Sequence, residues 1–208
     1  MSSETTSRRR ASKGSFGYFR QEKKRRLLIT AALFVLPVLA LVIPWIYYGT
    51  RNNMWTILAV VGALPGCKSL VSLIMVLMRK PMDEGLYREI KSHAGDLTMG
   101  YEMYMTFYEK SAMIDAVAIC GNQVVAFSSD PKIDSGYMAA NAQKLLHENG
   151  YKVDVKIQTE KRMYLERLDS MNAHKDSLRE GIKFTPDEKY PDLSREELIL
   201  HTWLALCL

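Results

Sequence analysis

Residues 27–48, LLITAALFVLPVLALVIPWIYY, contain no charged side chain. As an α-helix this stretch is ~33 Å long, enough to cross a hydrocarbon layer of ~30 Å. A second run, MWTILAVVGALPGCKSLVSLIMVLM at residues 54–78, carries a single charge, Lys68. The five residues between them, Gly49-Thr50-Arg51-Asn52-Asn53, allow a tight reversal and little else. The two runs therefore read as a transmembrane hairpin, 27–80, which returns the chain to the side from which it entered.

Charge orients that hairpin. Residues 1–26 hold nine Lys or Arg against Glu4 and Glu22, and Arg79-Lys80 follows the second run. Arg51 is the one charge in the turn. By the positive-inside rule both ends lie in the cytoplasm and the turn lies outside. Trp45, Tyr47, Tyr48 and Trp55 flank the turn, where aromatic rings favour the membrane interface. No small-x-small cleavage site follows Tyr48, so the first run reads as an anchor and not as a removed signal peptide. Residues 1–26, rich in Ser, Thr and Arg, read as a disordered basic tail. Lys23–Arg26 sets the orientation, and Arg8-Arg9-Arg10, further from the boundary, is a candidate lipid-surface contact.

Lys68 stands ten residues before Met78, ~15 Å along a helix, which puts it near the bilayer midplane. A lysine there costs about 2.5–3.5 kcal/mol on insertion scales. Three roles fit it. It can cap carbonyls loosened by Pro37, Pro44 or Pro65, face a polar seam between copies, or serve an ion or proton path. A lone charge on two helices favours the first two.

Residues 81–208 form one soluble domain of ordinary size. They hold fifteen Lys or Arg against twenty-one Asp or Glu, and this acidic balance argues against nucleic acid as a partner. Met82–Ala94 has helical spacing of apolar residues and stops at Gly95. Leu97–Tyr108 alternates with period two, so that Leu97, Met99, Tyr101, Met103, Met105 and Phe107 share one face. Gly100 marks a candidate bulge. Ile114–Cys120 and Gln123–Ser128 flank Gly121-Asn122, a type II′ hairpin signal. A helix capped at Asp134 or Ser135 ends at Asn149-Gly150, Val153–Ile157 is a fourth strand, and a helix starts at Thr159. Residues 172–192 read as loop. Ser194 and Glu197 form a capping box that opens a last helix. Its apolar end is too short to span a bilayer and must dock against the core, a partner or the bilayer surface, so Trp203, Leu204 and Leu206 form a candidate interaction surface. The fold class is α+β: the hairpin followed by a small mixed-sheet domain of order α-β-β-β-α-β-α-α.

That order resembles the core of the restriction-endonuclease-like nucleases. The resemblance implies an Asp on the second strand and a Glu-x-Lys on the third, together holding a magnesium ion. Asp115, read at the start of the second strand, matches the first acid. The third strand reads QVVAFSSD and lacks the Glu-x-Lys, so the implied metal site is incomplete. Glu102 and Asp115 can face each other across neighbouring strands as an acid pair, but solvated positions at the strand edges are the favoured reading. Other chemistry finds no pattern. There is no phosphate-binding glycine loop and no GxSxG, and no two histidines among His93, His147, His174 and His201 are at ligand spacing. Cys67, Cys120 and Cys207 are scattered and form no zinc motif.

No cofactor or metal is expected, and Asp115 is the one catalytic candidate. The expected protein is non-catalytic and anchored by two helices in a bacterial cytoplasmic membrane. Its cytoplasmic domain binds a partner or supports assembly, with the lipid bilayer and a protein partner or self-association as its contacts. The competing classes are a degenerate endonuclease-like or other enzyme tethered to the membrane, and an accessory subunit of a transport system built around Lys68.

Overall fold

A computed structural model of the chain describes residues 12–49, 54–108, 110–182, 184 and 190–207. They divide into two compact units. One is a helical pair, Phe19–Pro81; the other joins the segment ending at Tyr18 to the chain from Met82 onward.

The helical pair consists of α1 (Tyr18–Tyr48) and α2 (Met54–Met78). Both are long and apolar enough to cross a membrane, and only 12% and 17% of their apolar windows are buried. Leu28, Ile46, Leu64 and Met78 expose 64–79% of their surface. A core helix of a soluble protein would bury such side chains. The helices run antiparallel, fixed by contacts at several heights. Lys23 Nζ donates to the Leu77 carbonyl at 3.1 Å, Arg26 to Ser72 Oγ, and the Thr30 and Ser69 hydroxyls meet at 2.7 Å. Further along, the Phe34 ring lies over Gly66 and Pro37 over Gly62. Ala59, Gly62, Gly66, Ser69, Leu73 and Val76 recur at alternating steps of three and four, a seam of mostly small residues that lets two backbones approach. Residues 50–53 of the expected turn lie outside the described residues, as do the side chains of Tyr48 and Trp55.

Two expectations change here. Helix α1 opens at Tyr18, so residues 18–26 of the expected disordered tail are helical, and 12–17 form turns. Arg, Lys, Gln and Glu are good helix formers, and extending a nucleated helix adds one bond per residue fixed. Glu22 braces the extension through Arg26 at 2.7 Å and Arg25 at 3.8 Å. Residues 1–11 lie outside the described residues. The second change concerns Lys68. Because Ser69 meets Thr30, Lys68 lies ~6 Å along the axis from the level of Leu27. It is exposed and makes no hydrogen bond or ion pair among the described residues, so it does not cap the carbonyls loosened by proline.

The α+β domain runs α3 (Glu84–Ala94), β1 (Thr98–Phe107), β2 (Lys110–Cys120), β3 (Gln123–Phe127), α4 (Ser135–Glu148), β4 (Asp154–Gln158), α5 (Lys161–Ala173), α6 (Lys175–Arg179) and α7 (Arg195–Leu206). Its four strands lie in sequence order as a mixed sheet. The pairs β1–β2 and β2–β3 are antiparallel, and β3–β4 is parallel across α4. Asp83 caps α3 through Gly85 and Leu86, Gly121 takes the positive φ of the hairpin turn, and Ser194 and Glu197 complete the capping box of α7. Helix α6 occupies part of the stretch expected as loop. One face of the sheet packs Met103, Met105, Ile114, Val117 and Ile119 against Met138, Leu146, Ile199 and Trp203 of α4 and α7. The other packs Ala116, Ala118, Cys120 and Phe127 against Ile90, Tyr164, Leu168 and Met171 of α3 and α5.

Trp203 is completely buried, and Leu204 and Leu206 pack against the same core. The candidate interaction surface at these residues is therefore corrected: the apolar end of α7 covers the sheet. Cys207 extends this cover by a bridge to Met105 on the outer edge of β1.

Candidate functional site

The one irregular rung of the sheet lies between Glu102 and Asp115. The β1–β2 ladder pairs Thr98 through Tyr101 with Ile119 through Ala116, and Met103 through Phe107 with Ile114 through Lys110. Glu102 and Asp115 stand opposite each other at the break. Glu102 has φ 51°, a left-handed backbone rare for a buried residue with a Cβ. Both strands slip by one residue at this rung. Leu97, Met99 and Tyr101 consequently pack on the α3–α5 face, while Met103, Met105 and Phe107 pack on the α4–α7 face. The single apolar stripe expected for this strand is thus divided between two cores. Gly100, the expected bulge, keeps its pairing, and a Cβ there would press on Leu200 and Val117.

Both carboxylates are buried, Glu102 at 1% exposure and Asp115 at 4%. Asp115 is the sixth residue of β2 and not its first, because Lys110–Met113 already pair with β1. Its Oδ2 accepts the Ser129 N–H at 2.6 Å. Burial pushes the Asp115 carboxyl above its ordinary pKa, Ser129 opposes that shift, and nearby Asp130 adds to it. Ser128 continues the tie: its hydroxyl donates to the Met113 carbonyl at 2.6 Å and its N–H to the Gln158 carbonyl at 3.0 Å. Asp115 thus pins the chain leaving β3 to the middle of β2.

Glu102 accepts the Met82 N–H at 3.1 Å, and the neighbouring Tyr101 N–H donates to the Gly14 carbonyl at 2.8 Å. Two consecutive residues of β1 therefore hold both chain segments that border the helical pair. The leading segment is further fixed by Phe16, whose ring stacks on Tyr87 at 4.0 Å, with Tyr101 set edge-on to Tyr87 at 5.0 Å. Burial lifts the Tyr101 phenol to about 12. Lys13 Nζ donates to the Cys207 carbonyl, and Gly14, with φ 86°, leaves room for Leu204. Aromatic residues at 16, 87 and 101 are visible in the sequence, but their meeting is not.

A second polar centre escaped the sequence reading altogether. Glu196, in the first turn of α7, accepts bonds from Arg179 Nε and a terminal guanidinium nitrogen at 2.9 and 2.8 Å. It also accepts the Gly121 N–H at 2.8 Å and the Thr98 hydroxyl at 3.1 Å. Burial alone would raise its carboxyl, but these donors outweigh it and hold the group below its ordinary pKa. Arg195 completes the clasp on the hairpin, reaching the Gly121 carbonyl and the Asn122 side chain at 2.6 Å each. A cleft of about 440 Å³ opens beside this centre, between Phe184 and Ser194. Three segments distant in sequence, at Thr98, Gly121 and Arg179, supply the donors to Glu196, and no local pattern announces them.

The histidines are apart. His93 Nδ1 meets Asp169 at 2.7 Å, His147 and His174 bond backbone carbonyls, and His201 lies on Tyr190. Cys120 and Cys207 are buried and Cys67 is exposed. Burial pushes the Cys207 thiol up to about 12. Among the described residues no group of three His, Cys, Asp or Glu stands close enough to hold a metal ion. Asp115 meets a backbone amide where the nuclease resemblance implies a metal shared with a second acid. The sequence matches no family model and no curated protein, and the fold matches no solved structure.

Proposed function

We propose that this chain is a membrane-anchored, non-catalytic protein. The helical pair crosses a bacterial cytoplasmic membrane, and the acidic α+β domain, on the cytoplasmic side with the basic flanks, binds a partner or supports assembly. The observation that carries this reading is the exposure of apolar side chains around both helices, only 12% and 17% of whose windows are buried. In water that surface would be an aggregation hazard, whereas in a bilayer it is solvated. An excess of six carboxylates over cations in residues 81–208 favours a partner with a cationic surface.

Alkaline carbonate extraction with protease protection tests the reading. The full-length chain should stay in the membrane pellet, and protease outside intact cells should leave the domain uncut. Recovery in the carbonate supernatant, or cleavage of the domain from outside, would overturn it.

A further inference from the structure

The cross-helix contacts set two unlike surfaces at the same height. Helix α2 ends with Leu70, Val71, Ile74, Met75, Leu77 and Met78 exposed, and this stretch lies beside the basic opening of α1. One helix at this level calls for hydrocarbon and the other for water or anions. On one side of the pair the cations reach deeper. Lys68 and Ser72 are four residues apart, one above the other on one face of α2. Ser72 receives a bond from Arg26, which also bonds Glu22 at 2.7 Å. The result is a polar ladder, Lys68–Ser72–Arg26–Glu22, rising two turns from within the apolar stretch to the basic rim. Glu22 is its one carboxylate, only 13% exposed and shared with Arg25, and residues 27–78 contain none. Among the described residues no carboxylate pairs with Lys68.

We propose that this ladder binds the headgroup of an anionic phospholipid in the basic-side leaflet, its phosphate between Lys68 and Arg26 and its acyl chains along the exposed apolar end of α2. Lys68 lies ~6 Å below Ser72, within the reach of a lysine that extends its amine toward the interface. A zwitterionic headgroup brings its own cation and leaves the ladder's surplus charge unbalanced, whereas a headgroup of net negative charge neutralises it. Exposed Lys24 and Lys80 belong to the rim and contribute only general attraction.

This inference rests on the membrane reading, so the test scores incorporation first. Full-length chain is reconstituted into nanodiscs of mixed phosphatidylglycerol and phosphatidylcholine, and the retained lipid is identified by native mass spectrometry after release into detergent. Wild type should enrich phosphatidylglycerol. Lys68→Leu should incorporate as well or better and lose about fivefold of that enrichment, Lys68→Arg should keep it, and Lys24→Gln should change it little. Equal retention of both lipids by incorporated wild type overturns the site. So does enrichment unchanged in Lys68→Leu but lost in Lys24→Gln, which would signify a rim collar. Failure of every variant to incorporate overturns the membrane reading and the site with it.

Discussion

The helical pair and the α+β domain use the same apolar residue types in opposite ways. In the domain, Ile114, Ile119, Leu146, Leu168 and Trp203 are at or near zero exposure and two cores sandwich the sheet. In the pair, most leucines, isoleucines and valines point outward, and the helices meet along a seam in which Gly, Ser and Ala outnumber Leu73 and Val76. On the membrane reading proposed above, the difference follows from the surroundings of each part. Water drives side chains into a core, whereas lipid gives helices no hydrophobic reason to associate and leaves close packing and hydrogen bonds to hold them. Polar groups obey the same division. Glu196 inside the domain has four donors, while Lys68 on the pair has no partner among the described residues.

The strongest challenge to this contrast is a matched pair of truncations. Trp203→Ala should cost the domain about 3–5 kcal/mol, because a fully buried aromatic leaves a cavity under the sheet. Leu64→Ala, at an exposed site on α2, should leave the domain's stability within about 0.5 kcal/mol of wild type. Pulse proteolysis of full-length protein across a urea series reads both, and comparable losses would erase the distinction between the two regions.

A smaller effect is expected at the Glu196 centre. Arg179→Ala strands a nearly buried carboxylate and should cost about 2 kcal/mol at neutral pH. The folded-state pKa of Glu196 is depressed, so its stabilisation is present above its unfolded pKa and fades as pH falls through the folded value. The Arg179→Ala deficit should therefore shrink in acid, which urea midpoints at neutral and acidic pH will reveal. A deficit independent of pH would mean that Arg179 acts only by packing.

The smallest effect carries the opposite sign. Asp115 has a raised folded pKa, so its charge penalises the folded state as pH rises from the unfolded value through the folded one. Asp115→Asn retains an acceptor for Ser129 N–H and should match or slightly exceed wild-type stability at neutral pH. The gain should vanish at a pH low enough to protonate the wild-type carboxyl. A loss at neutral pH would show that the charge itself is needed at the broken rung.

Local signals were readable because short-range physics produces them. The uncharged run from Leu27 to Tyr48, the Ser194–Glu197 capping box and the Gly121-Asn122 turn each depend on a few neighbouring residues. The rung at Glu102 and Asp115 was not readable in the same way. Apolar alternation continues through Glu102, and because both strands slip together the pairing register is unchanged on either side of the break. The apolar end at Trp203 leaves core, partner and bilayer open for a related reason: a segment apolar on every side does not say what will cover it.

The sequence by itself determined two apolar helices, a strand-rich acidic domain and the order of its elements apart from α6, because hydropathy, caps and turns act within a few residues of each other. Tertiary structure alone decided that β1 divides its side chains between two cores, that Glu196 gathers its donors from distant segments, and that Lys68 lies a turn or so beneath the basic rim. Each of these depends on which segments meet and at what height. That choice is made by packing between residues far apart in the chain, which no local pattern encodes.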